Sequence, residues 1–80
     1  MPIDQEVKET IARTLTVNPE EIAADKKLYD SLSVDSTEIV DLRAALEKKF
    51  AVKIAANELT KFSTPREIVT LINNKQEAGR

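Results

Sequence analysis

The chain has 80 residues, 41% of them hydrophobic and 32% charged, which suits one small globular domain with a single core. Its 14 acidic and 12 basic side chains leave a net charge of -2, and no lysine–arginine cluster or aromatic platform makes a case for nucleic acid. With no cysteine and no histidine, it offers no disulfide, no thiolate metal site, no cysteine nucleophile and no usual general base for a serine. One glycine and three prolines exclude low-complexity organisation. The N-terminal residues lack the basic-then-apolar pattern of a secretory signal, and no apolar run approaches spanning length. The expected setting is cytoplasmic, away from the membrane.

In chain order, Ile3, Val7, Ile11 and Leu15 recur every four residues and predict a helix from about Asp4 to Leu15, with Asp4 as its cap. Val17-Asn18-Pro19-Glu20-Glu21-Ile22 reads as one brief turn: Asn18 caps, Pro19 fits the first position and Glu21 completes a capping box. A long connection then runs through Leu32, with Leu28 and Leu32 tucked into the core and Asp30 and Ser31 left polar. A calcium loop over Asp30–Thr37 is excluded, because Leu32 and Val34 stand at ligand positions and the central glycine is missing.

Val34-Asp35-Ser36-Thr37-Glu38-Ile39 is the most complete local signal in the chain. Asp35 is a strong N-cap, Glu38 completes a capping box, and Val34 and Ile39 can pack as a staple across the turn. Ser36 is thereby placed at the first helical position. Amides there lack intrahelical partners and the helix dipole favours negative charge, so a phosphate group on the Ser36 hydroxyl would be well placed. The helix is predicted to reach Phe50. At about 100° per residue, Ile39, Leu42, Leu46 and Phe50 fall within an arc of roughly 80° and form the inward stripe. Thr37, Val40, Asp41, Ala44, Glu47 and Lys48 occupy another arc, mostly away from the core.

Beyond it, Val52 and Ile54 are too little for a sheet, so Ile54 is expected to plug the core. Asn57–Phe62 is predicted as a short helix, with Leu59 and Phe62 on one face. Thr64-Pro65-Arg66-Glu67 is a clear helix start, followed by an inward stripe of Ile68, Leu71 and Ile72. Asn73 and Asn74 are expected to end that helix, leaving Lys75–Arg80 as a frayed tail. The sum is an all-α, four-helix bundle: three longer helices, a short one before the last, and a long loop between the first two long ones.

The run from Leu28 through Asp35-Ser36 to Phe50 resembles the core of acyl carrier proteins, and the resemblance covers nearly the whole chain. It implies a carrier rather than an enzyme. Ser36 would carry phosphopantetheine, attached from coenzyme A by a magnesium-dependent phosphopantetheinyl transferase, and Asp35 would serve both as cap and in transferase recognition. The arm's thiol would hold acyl groups as thioesters for fatty acid, lipid or polyketide-type synthesis, which gives a cysteine-free chain access to thiol chemistry. The arc of Thr37, Val40, Asp41, Ala44, Glu47 and Lys48 would dock acyl-loading and acyl-processing enzymes, with the carrier a monomer and no resident metal. Leu46, Ile54, Leu59, Phe62 and Ile68 are the candidates for lining a space for acyl cargo between helices.

The chain departs from the family's pattern in informative places. Thr37 stands where leucine is frequent and Ser33 where glycine is common. From Ser36 to Phe50, three acids (Glu38, Asp41, Glu47) face three bases (Arg43, Lys48, Lys49), a balanced helix where carriers of fatty acid synthesis tend to be strongly acidic. That balance weakens steering by a basic enzyme patch and suggests a dedicated pathway. A peptidyl or aminoacyl carrier, or an unmodified interaction module, stays open on the residues alone.

Overall fold

The four-residue recurrence of Ile3, Val7, Ile11 and Leu15 builds helix α1, Ile3–Leu15, in a computed structural model that describes residues 3–78. Val7, Ile11 and Leu15 are buried and Ile3 is half-buried. Asp4 does not cap this helix. Ile3 is already helical, so Asp4 lies in the first turn, where a carboxylate still suits the dipole. The buried Thr10 donates from Oγ1 to the Glu6 carbonyl at 2.8 Å, so its hydroxyl is satisfied. Thr16 ends the helix with φ 56°, and Val17 N–H reaches back to the Ala12 carbonyl at 3.0 Å.

The brief turn is a 3₁₀ turn over Pro19–Glu21, tied by Asn18 N–H to Glu21 Oε2 at 2.9 Å. The long connection then holds a helix that the sequence did not announce: α2, Leu28–Leu32. Five residues are too few for a periodic signal, and Lys27 supplies no side-chain cap. Partners come from far along the chain instead. Leu28 N–H donates to the Ser63 carbonyl at 3.0 Å and Tyr29 N–H to the Lys61 carbonyl at 2.8 Å. Leu28 is buried as expected, and Leu32 is half-buried against the core.

Helix α3 spans Ser36–Phe50, the predicted range, and buries Ile39, Leu42, Leu46 and Phe50. Ala51 closes it at φ 55°, with Val52 N–H bonded to the Glu47 carbonyl at 3.2 Å. Ile54 is buried, as expected of a plug.

Asn57–Phe62 is not a helix. It forms short turns in which side chains take the amides a helix would need: Thr60 N–H donates to Ser63 Oγ and Phe62 N–H to Thr60 Oγ1, both at 3.2 Å. Leu59 and Phe62 therefore do not share a face; Leu59 is buried and Phe62 exposed. The short helix of the four is α2, ahead of α3.

Helix α4, Pro65–Ala78, opens with the predicted box: Thr64 N–H to Glu67 Oε1 at 2.8 Å and Glu67 N–H to Thr64 Oγ1 at 3.1 Å. Ile68 and Ile72 are buried and Leu71 is half-buried. The helix continues through Asn73 and Asn74, because asparagine costs only about 0.7 kcal/mol in a helix. Lys75 adds a tertiary tie, pairing with Glu58 at 2.8 Å. Of the expected tail, Gly79 and Arg80 lie outside the described residues.

α1 packs on α3 and α4 around one cluster that also takes in Ile22, Leu28, Val34, Ile54 and Leu59. Among the described residues no helix is long and apolar enough to cross a membrane.

Candidate functional site

The site starts from a backbone reversal. Ser33 ends α2 with φ 53°, its N–H bonded to the Tyr29 carbonyl at 3.0 Å, and this swings Val34 into the core and Asp35 out. Asp35 is extended and caps α3: its Oδ1 accepts Glu38 N–H at 2.8 Å, and Asp35 N–H donates to Glu38 Oε1 at 3.1 Å. Val34 and Ile39 are both buried across this turn, as a staple requires. Ser36 is left exposed as the first residue of α3.

Ser36 opens onto a groove of about 330 Å³. One wall is α3, through Ser36, Ile39, Val40 and Arg43; the other is the turn segment, through Ala56, Leu59, Thr60, Lys61 and Phe62. A second groove, about 440 Å³, lies between α1, the loop at Ile22–Ala24 and the start of α4, and contains none of the sequence-predicted site residues.

The outward arc of α3 is where helical geometry put it: Thr37, Val40, Asp41, Ala44 and Lys48 are exposed. Glu47 differs. It is half-buried, and its Oε2 accepts Ile54 N–H at 2.9 Å, so this carboxylate fastens the segment after α3. Of the five residues expected to line an interior space, Leu46, Ile54, Leu59 and Ile68 are buried in one cluster. Phe62 is outside it, 53% exposed, with its ring centroid 5.9 Å from that of Tyr29. The turn geometry set by Thr60 directs it there. Sequence reasoning missed Arg43, Lys61 and Tyr29 as neighbours of the site. The available signal was a tyrosine in a polar stretch and a Lys-Phe pair in a chain with only three aromatic residues.

The phosphopantetheine attachment site family matches residues 5–72 of the chain. The acyl carrier protein of Wolinella succinogenes is 36% identical over 95% of this chain and 100% of its own length. The chain belongs to the acyl carrier protein family. That of Petrotoga mobilis is 41% identical over 89% of this chain and 84% of its own, and that of Campylobacter hominis 34% over 92% and 94%. As an acyl carrier protein it is a non-catalytic carrier whose covalent prosthetic group is phosphopantetheine. Its partners are, in general terms, a phosphopantetheinyl transferase and the enzymes that process acyl groups.

Proposed function

We propose that Ser36 is the residue that receives phosphopantetheine, and that the chain works in the cytoplasm as an acyl carrier of a dedicated biosynthetic pathway. The observation that carries this reading is an exposed hydroxyl at the capped start of α3, opening directly onto a groove. These residues fit a phosphodiester-linked chain. The first-turn amides and dipole favour the anion, Arg43 and Lys61 are among the lining side chains, and Ile39, Val40 and Leu59 give the groove apolar walls. When attached, the group supplies a terminal thiol that holds an acyl chain as a thioester.

Each residue has its own part. Asp35 fixes the turn and presents a carboxylate beside the hydroxyl, where it helps position the transferase's metal-bound coenzyme A. Thr37, Val40, Asp41, Ala44 and Lys48 form the face that docks partner enzymes, with Glu47 assigned to holding Ile54 rather than to recognition. Leu59 both belongs to the core and lines the groove, so cargo moving inward from Ser36 meets it ahead of Leu46, Ile54 and Ile68. The balanced charge of α3 supports a dedicated pathway over general fatty acid synthesis, because a basic partner surface would gain little steering from it.

The test is intact-protein mass spectrometry after incubation with coenzyme A, magnesium and a broad-specificity phosphopantetheinyl transferase, with Ser36→Ala alongside. One pantetheine adduct on the parent and none on the variant is the expected result. An adduct that persists in Ser36→Ala would move the attachment to another residue.

A further inference from the structure

The large exposed hydrophobic side chains found among the described residues are Tyr29, Val40 and Phe62. Scattered singly, they would need no explanation. They are not scattered. Val40 and Phe62 line opposite walls of the groove beside Ser36, and the Tyr29 ring packs against Phe62 at a tilt of 58°. Cations are built into the same surface. Lys61 Nζ sits 4.9 Å from the Tyr29 ring centroid and 5.5 Å from that of Phe62, and Lys27 Nζ is 5.9 Å from Phe62. Arg43 lines the groove opposite Lys61. The acids on the adjoining elements are Asp30 on α2, Asp35 and Glu38 in the cap of α3, Asp41 on its outward arc, Glu47, which holds Ile54 N–H, and Glu58 in the turn segment, which pairs with Lys75. Asp35 and Glu38 are committed to each other's amides.

This surface is also held in shape. The backbone bonds from Leu28 and Tyr29 to Ser63 and Lys61 fasten the two segments that carry the aromatic rings. Rings presented on fastened backbone lose little freedom on binding, and aromatic and cationic side chains around an apolar centre are the composition of an interface core with its rim.

We propose that Tyr29, Phe62, Lys27 and Lys61 form a docking surface for a partner protein that presents an apolar patch rimmed by carboxylates. The inference rests on Ser36 as the attachment residue only for its purpose: a partner seated here would lie beside the mouth of the groove and within reach of the arm. The complementarity runs opposite to that expected of an acidic carrier helix, and it gives the charge-balanced α3 a neighbour with a definite sign. Rim charges of this kind mainly set encounter rate and partner choice.

The experiment uses the full chain, ¹⁵N-labelled, and three probes. Two are synthetic helical peptides with the same leucine stripe, one with glutamate at every other position and one with lysine; the third is a phosphatidylcholine vesicle containing phosphatidylglycerol. The glutamate peptide is expected to shift the amides of Tyr29, Lys61 and Phe62, with affinity falling as salt rises. Lys27→Glu with Lys61→Glu should weaken it about tenfold or more, and Tyr29→Ala, at an exposed position, should weaken it with the spectrum otherwise unchanged. Equal binding of the two peptides, no binding of the glutamate peptide, shifts centred on the second groove, or tighter association with the vesicle would each overturn the proposal. Ser36→Ala should bind the glutamate peptide as the parent does, so failure of the attachment assignment and failure of this surface are read separately.

Discussion

Helices α3 and α4 begin with the same device, and only one of the two beginnings offers a hydroxyl at its first position. Asp35–Glu38 and Thr64–Glu67 are both reciprocal capping boxes, with bonds of 2.8 and 3.1 Å in each. What differs is the residue that follows the cap. At α4 it is Pro65, buried, without an N–H or a hydroxyl, and Arg66 N–H is taken by the Ala24 carbonyl at 3.1 Å. At α3 it is Ser36, exposed and bearing a hydroxyl, while a groove borders both starts, of about 330 Å³ here and about 440 Å³ at Pro65. A capping box thus specifies where a helix starts and says nothing about function. On the proposed reading, function enters through the side chain at the first position.

That contrast can be broken in several ways, beginning with the largest effect. Ser36→Ala should abolish adduct formation entirely while changing thermal stability by less than about 0.5 kcal/mol, as for an ordinary surface substitution. Removing the caps comes next. Asp35→Ala and Thr64→Ala should each cost about 1 kcal/mol in denaturant unfolding, but only the first should also slow phosphopantetheine transfer. Asp35→Asn separates the two duties, since it keeps the cap and removes the carboxylate, so stability should recover and the transfer rate should not. If Thr64→Ala slowed transfer as much as Asp35→Ala, the two helix starts would not be functionally distinct.

Smaller effects sharpen the comparison at the helix ends. Ala51→Gly should stabilise by about 0.5 kcal/mol, because φ 55° is costly for a residue with a Cβ. The smallest lies at the far end of α4. The Lys75 ammonium and the Ala55 N–H both bond the Glu58 carboxylate, each at 2.8 Å, and hold its pKa below the ordinary glutamate value. A depressed carboxyl contributes stability above the unfolded pKa, about 4.3, and loses it as pH falls through the lower folded value. Glu58→Gln should therefore be slightly less stable than the parent at neutral pH, and the two unfolding curves should converge in acid. A gap that widened on acidification would reverse the sign assigned to this pair.

Legibility in the sequence followed the range of the forces involved. The starts of α3 and α4 could be read because cap, box and apolar stripe lie within a few residues of one another. The placement of Ser36 at the first helical position followed from the same local geometry. α2 could not be read, because its first amides are satisfied by Lys61 and Ser63, which no local window contains. Asn57–Phe62 misled in the opposite sense. Its apolar spacing suits a helix, but the Thr60 and Ser63 hydroxyls bind nearby amides at shorter range. The far wall of the groove inherited that error, so Phe62 was expected inside and stands at the surface. Asn73 and Asn74 failed as a stop for want of a residue able to turn the chain there, and because Lys75 is tied to Glu58.

Thr16, Ser33 and Ala51 turn the chain through the left-handed region at three helix ends, and none of them is glycine. The sequence's single glycine is Gly79, so from residue 3 to residue 78 there is none. The consequence belongs to the denatured ensemble. Each of these residues is strained by about 1 kcal/mol when folded, but a stretch without glycine explores fewer backbone states when unfolded and surrenders less entropy on folding. The strain at the three ends is thereby partly offset before any contact forms. For the same reason Ala51→Gly should gain less than the strain it relieves: the new glycine would widen the very ensemble that folding has to leave.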